Sequence, residues 1–315
     1  MPDSFLVLDP GSYTTVQDDG RHGFQKLGVP VSGALDGFAS RLANLLVTNP
    51  EDTAVLECTI AGPTLAVLRP ADVAVAGAAM DIWLNDRRMS GWASFRVEPG
   101  DTLRLGQATS GCRAYLAVRG GIEVPMLMGS RSTTVSAGLG GLQGRPLRKG
   151  DILATGPAEC LAKHPALPRE WIPEYEPEMR LRAIPGPQDD FFDYGLETFF
   201  TGRFQVGSRA DRMGYRLDGP QIARAPGMPE SIISEPSQPG NIQVPADGQP
   251  IILLVEQTIG GYTKIASLVS ADLWKVAQAV PGTAVSFQKV DLGEAHFLLR
   301  QRLAHLAAIK RYLQA

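Results

Sequence analysis

Short apolar runs, each cut off by glycine or proline, constrain this chain more than any other feature. The 34 glycines and 24 prolines fall as punctuation between them. Strand-like runs are read at Phe5–Leu8, Thr53–Ile60, Thr64–Leu68, Val73–Ala76, Thr102–Leu105, Ala114–Val118, Arg180–Ala183, Ile251–Val255 and Ala284–Phe287. Many short strands separated by turn signals favour sandwich or barrel cores over the strand–helix alternation of a parallel sheet. The chain is therefore expected to be mainly β with few helices.

One turn recurs. Glu98-Pro99-Gly100-Asp101, Arg148-Lys149-Gly150-Asp151 and Val280-Pro281-Gly282-Thr283 each precede a strand-like segment. In the first and third, Pro sets φ at one corner and Gly supplies positive φ at the next. Helices are expected in three places. Leu35, Phe38, Leu42, Leu45 and Leu46 share one helical face, with Asp36 at the start. Ser270 precedes a short segment, Ala271–Ala279. Asp291 with Glu294 opens a final amphipathic helix. Prolines and charges without periodicity between 156 and 179 mark a linker. The expected division is a first subdomain over 1–160, a second over 175–290, and a terminal helix over 291–315.

With 315 residues, 44 % of them hydrophobic, the chain can bury a sizeable core. Its net charge of −3 offers no basic excess for nucleic acid or an anionic membrane. The start, MPDSFLVLDPG, lacks a positive region and is broken by Pro10-Gly11, so it reads as neither signal nor anchor. Cys58, Cys112 and Cys160 are widely spaced, with no C-x-x-C, and are read as reduced residues of a cytoplasmic protein. Histidines at metal-ligand spacing, G-x-S-x-G, a Walker loop, a Rossmann fingerprint and Met-Lys-Met are all missing, so no metal is expected.

Four stretches carry the chemistry. In Gln257-Thr258-Ile259-Gly260-Gly261-Tyr262-Thr263-Lys264, two glycines let a ligand come close and Lys264 adds charge. The other reading is a glycine turn with an exposed lysine. Gly129-Ser130-Arg131-Ser132-Thr133-Thr134, followed by Gly138–Arg145, either wraps an anion through its arginines or is a surface loop. In Ser208–Arg216, three arginines flank Asp211, either as a structural ion pair or with one arginine free. Near the N-terminus, His22 is a potential acid or base or a surface polar residue. Asp36 either caps the helix that follows or points into a cleft.

Taken in order, T-T-V-Q-D-x-G-R-x-G, V-P-x-S-G-A-x-D, A-N-x-L-V, G-S-R-S-T and P-x-D-G-Q-P-I-x-L-x-x-x-Q-T-x-G-G-Y-x-K-I-A resemble one family over about residues 5 to 290. It is the KipA family, whose members are also called allophanate hydrolase subunit 2 or the C-type subunit of 5-oxoprolinase. It is similar to half of the carboxyltransferase domain of urea carboxylase.

The resemblance implies two cyclophilin-like β-barrel subdomains. It further implies a subunit of an ATP-dependent complex, inactive alone, that opens 5-oxoproline to glutamate with a KipI-like partner (allophanate hydrolase subunit 1) and a third, LamB/YcsF-type protein. ATP would act at the level of the complex. One alternative is a biotin-dependent carboxyltransferase acting on urea or another small amide, with biotin on a separate carrier. Another is a regulatory binding protein of the KipI/KipA type.

By position, the resemblance puts Asp36, Gly129–Thr133 (Ser130, Arg131 and Ser132 among them), Gln243, Gln257, Gly260, Gly261 and Lys264 at the active cleft. From side-chain chemistry, Lys264, Arg131 and Arg212 would meet anions. Gln243 and Gln257 would hydrogen-bond an amide or ureido group. Asp36 would accept an N–H or act as base. Glu256-Gln257 departs from the family's frequent Asp-Arg-Gln, which leaves the acid and base at that edge open.

Overall fold

A computed structural model describes residues 3–314. Those residues form 18 strands and four α-helices, in agreement with a mainly β chain with few helices. They cluster into two compact units. The first takes in residues up to His22, Ser32–Tyr175 and the segment from Leu306; the second takes in Gly23–Val31 and Glu176–His305.

The first unit contains β1 (Asp3–Asp9), β2 (Tyr13–Gln17), α1 (Gly37–Leu46), β3 (Val55–Thr59), β4 (Thr64–Val67), β5 (Ala71–Leu84), β6 (Arg87–Met89), β7 (Ser94–Val97), β8 (Thr102–Val118), β9 (Ile122–Glu123) and β10 (Ile152–Thr155). Its sheet runs β2-β3-β8-β4-β1-β10-β9, with β5 joining β8, β6 and β7. The runs expected at Thr102–Leu105 and Ala114–Val118 are two ends of the single strand β8. Its polar middle reads as a break in sequence because it lies outside the core. Strand β5 follows β8 with register shifts after Gly77. Gly77 has φ +99, and a Cβ there would lie 2.4 Å from the Arg113 carbonyl oxygen, so only glycine fits this bend.

Inward residues such as Phe5, Leu56, Leu65, Val73, Leu103, Leu116 and Leu153 form one core of this unit. The opposite face of the sheet packs against α1 through Phe38, Leu42, Leu46, Tyr115 and Ala117. The expected cap of α1 is present: the Asp36 carboxylate accepts the Ala39 N–H at 3.0 Å, a contact worth about 1 kcal/mol.

The second unit contains β11 (Glu178–Pro185), α2 (Asp193–Thr201), β12 (Arg203–Ala210), β13 (Gly214–Asp218), β14 (Ser231–Pro236), β15 (Asn241–Val244), β16 (Ile251–Leu253), β17 (Ile259–Leu268), α3 (Leu273–Ala277) and β18 (Ala284–Lys289). Pairing runs β11-β18-β12-β13-β16-β15-β17 and returns to β11, closing a barrel, with β14 added on β17. Closure leaves those seven strands without a free edge. Phe199, Phe204 and Phe287 pack together; the rings of Phe199 and Phe287 stack at 4.2 Å.

The recurring turn is built alike at all three places. Gly100, Gly150 and Gly282 sit at φ 94, 90 and 89, where nothing crowds a side chain, so the glycine serves backbone conformation alone. In each turn the next residue (Asp101, Asp151 or Thr283) returns a side-chain oxygen to the first N–H. The last helix, α4 (Leu292–Gln314), opens as expected, with the Asp291 carboxylate accepting the Glu294 N–H at 2.8 Å. Its early residues Ala295 and Leu298 pack in the second unit. Leu306 and Ile309 bury in the first.

Candidate functional site

The stretch that reads as a strand ending in a glycine turn is itself a strand. Gly260, Gly261 and Lys264 all lie in β17, and neither glycine has positive φ. The reading of this stretch as a glycine turn with an exposed lysine is therefore corrected. Lys264 is 4 % exposed. Its Nζ donates to Glu235 Oε1 at 2.8 Å and to the Pro236 carbonyl at 2.9 Å. Glu235 lies near the end of β14, opposite Gly260. The hydrogen bond from Lys264, more than its charge, holds the Glu235 carboxyl below its usual range.

A bulge positions this lysine. Ile242 pairs with Ala266 and Gln243 with Lys264, so Ile265 is one extra residue on β17. The Lys264 N–H donates instead to Gln188 Oε1 at 3.0 Å. Gln188 Nε2 donates to Glu235 at 3.3 Å, so one amide spans the backbone of Lys264 and the partner of its side chain. The loop carrying Gln188 comes this close because position 186 is glycine; a Cβ there would stand 2.2 Å from the Lys264 carbonyl oxygen.

Gln243 faces Lys264 across the strand pair and is 4 % exposed. Its Nε2 has no partner among the described residues. The amide lies over Gly260, where a Cβ would fall 2.4 Å from Nε2. Gln257 is half-buried in the segment leading into β17. Arg212 is buried and ion-paired with Glu256 at 2.6 Å. The Arg212 expected to meet an anion thus already meets one within the protein.

In the first unit, Ser130, Arg131 and Ser132 gather around Asp18. Its carboxylate accepts the Ser130 hydroxyl at 2.7 Å, the Ser132 hydroxyl, the Gly20 N–H at 2.9 Å and the Arg131 N–H at 2.5 Å. The Arg131 guanidinium is bound to Glu123 at 2.8 and 3.0 Å. The GSRST stretch is a loop folded on an internal carboxylate, with Ser130 and Ser132 buried. Beside it lies a cavity of about 310 Å³, lined by Asp18, Asn49, Asp52, Met126, Gly129 and Arg131 among others.

Of the two readings of Asp36, the structure shows the helix cap. Its backbone N–H donates to the Tyr115 hydroxyl at 2.7 Å, which donates to Glu57 at 2.9 Å. Burial, then the charges of Glu57 and Asp36, push the Tyr115 hydroxyl well above its usual pKa and keep it a donor. His22 sits on an exposed loop, its Nε2 3.0 Å from the Asp19 carbonyl. No cluster among the described residues could hold a metal ion, and no helix there is long and apolar enough to cross a membrane.

The sequence profile of the family "Carboxyltransferase domain, subdomain A and B" matches residues 27–289. The chain belongs to that family. This carboxyltransferase-family chain is 39 % identical to the C-type subunit of 5-oxoprolinase from Escherichia coli over 92 % of both chains. It is 34 % identical to the same subunit from Haemophilus influenzae over 97 % of both. The crystal structure of the K. lactis urea amidolyase superposes with a TM-score of 0.91 at 33 % identity, covering 98 % of this chain and 20 % of that one.

Sequence reasoning singled out Lys264, Gln243 and the glycines but not Glu235, Gln188 or Asp18, which the structure places against them or against the GSRST loop. Asp18 and Asp19 stand together in the first motif, which was a signal. Gln188 and Glu235 reach Lys264 only through the fold, 76 and 29 residues away in sequence.

Proposed function

We propose that this chain is the C-type subunit of an ATP-dependent 5-oxoprolinase complex. The complex hydrolyses the lactam of 5-oxoproline to glutamate, and the chain is inactive without its partners. The partners are a KipI-like protein and a third, LamB/YcsF-type protein. The carrying observation is reciprocal coverage: the match spans 92 % and 97 % of the two 5-oxoprolinase relatives, but only 16 % of the Saccharomyces cerevisiae urea amidolyase.

The Lys264 site suits lactam chemistry. An ammonium carries three donors; two are spent on Glu235 and Pro236, and the third is unclaimed among the described residues. Across the strand pair from Lys264 is Gln243, whose Nε2 is unpartnered among the described residues. Attack of water on a lactam carbonyl places negative charge on its oxygen. Two fixed N–H donors there lower the barrier, because they need not reorganise as the charge develops. Glu235 keeps the Lys264 side chain aimed. With no Walker loop in the chain, ATP is assigned to the complex.

A second reading, carboxyl transfer from biotin on a separate carrier to urea or a related amide, is favoured by the superposition on urea amidolyase. Co-expression with the two partner proteins tests the first. Glutamate should form from 5-oxoproline and ATP only when all three proteins are present. Full activity of the chain by itself would refute it.

A further inference from the structure

Two polar groups near the Lys264–Glu235 pair are buried and unpartnered among the described residues. They are Gln243 Nε2 and Ser237 Oγ, on side chains of residues 4 % and 2 % exposed. A dry, unpaired polar group costs about 1–3 kcal/mol, so such groups point to a ligand or a held water. The fold brings both to one end of β17. Gln243 opposes Lys264 and covers Gly260. Ser237 follows Pro236, whose carbonyl receives Lys264 Nζ, and its N–H donates to the Thr258 carbonyl at 3.0 Å. Gly260 leaves the wall here without a side chain.

Their chemistry narrows what enters. An amide nitrogen only donates, so Gln243 Nε2 requires an acceptor such as a carbonyl oxygen. A serine hydroxyl also accepts, so Ser237 takes an N–H. A cis amide, as in a five-membered lactam or in urea, presents C=O and N–H on one edge. We propose that Ser237 is a substrate-binding residue, which with Gln243 reads the cis-amide edge of the ligand: Gln243 donates to its carbonyl oxygen and Ser237 accepts its N–H. Lys264 and Glu235 form the charged side of the same subsite. The proposal rests on the reading above only in making that amide a lactam.

Calorimetry on the assembled complex without ATP tests it, with three probes: 5-oxoproline, its lactone analogue with ring oxygen in place of N–H, and urea. Ser237→Ala should weaken 5-oxoproline at least tenfold and leave the weaker lactone within twofold. Its unfolding temperature should be unchanged or higher, since an unpaired hydroxyl is removed. Equal losses for lactam and lactone would overturn the N–H contact. So would unchanged affinities, or binding of none of the probes. A drop of several degrees with unchanged affinities would overturn it too, marking a hydroxyl that holds the fold or a water. Should urea bind instead of 5-oxoproline, with a tenfold loss in Ser237→Ala, the Ser237 proposal stands and the 5-oxoprolinase reading falls.

Discussion

Gln243 and Lys264 stand opposite each other on β15 and β17, the first with a buried N–H unpaired among the described residues, the second tied to Glu235. A buried, unspent donor beside an ion-paired lysine is a poor way to stabilise a barrel. It is a sound way to receive a carbonyl, since the donor is already stripped of water when the substrate arrives.

Gly260 is what keeps that donor in place. Gly260→Ala puts a methyl group 2.4 Å from the present position of Gln243 Nε2. The amide is the far end of a flexible side chain and will swing away, so the fold survives. Turnover by the complex should fall at least tenfold. Gly261→Ala, whose nearest atom is the Ile232 carbonyl oxygen at 3.1 Å, should cost much less. Steady-state kinetics of both variants against the parent check this.

Lys264→Ala should lose activity and also stability, because the lysine is a buried strand residue with two bonds. Glu235 is partly exposed and recovers some solvation, which keeps the loss to about 1–2 kcal/mol. Urea unfolding of the isolated chain measures it. An unchanged midpoint would mean that the ion pair contributes nothing in solution.

Asp18 holds Ser130, Ser132 and the backbone of Gly20 and Arg131 on one carboxylate. Asp18→Ala leaves these donors without their acceptor, at a cost of about 2–3 kcal/mol. Amide exchange should quicken at Arg131 and Ser132 before it does in the β1–β10 pair, as hydrogen-exchange mass spectrometry would show.

Acid should unfold the chain through its paired carboxylates. Burial raises the pKa of Asp72 and Asp272. Donors from Leu161, His164 and Arg96 for Asp72, and from Arg182 and Lys275 for Asp272, outweigh it and leave both lowered. Glu235 is lowered by Lys264. A carboxyl lowered in the folded state contributes stability that is full above its unfolded value of about 4 and lost as pH falls through the folded value. Unfolding midpoints should hold steady down to about pH 5 and drop below about pH 4.

The motif order and turn chemistry were legible in sequence because they are local. Pro-Gly and Lys-Gly turns, the Asp36 cap and the Asp291 cap each need only three or four consecutive residues. β17 was not legible. Its first half carries glycines and a lysine, which look like a turn because the residues that fill the space over them, Gln243 and Glu235, come from other strands. β8 was split for the converse reason, its middle being polar and exposed. Arg131 and Arg212 looked available because their carboxylate partners, Glu123 and Glu256, are chosen by the fold.

Thiol reactivity gives a check on burial. Cys58 is fully buried, and burial pushes its thiol up to about 12; Cys112 is raised for the same reason, and Cys160 is exposed. One thiol per native chain should react quickly with a disulfide reagent at about pH 8, and mass spectrometry should place it at Cys160.

Phosphate release from ATP by the complex purified through this chain, with and without 5-oxoproline and in the presence of avidin, tests the functional reading most directly. The account predicts release that depends on 5-oxoproline and is indifferent to avidin. Release that avidin abolishes, or that urea supports and 5-oxoproline does not, would contradict it and place the chain in a biotin-dependent carboxyl transfer.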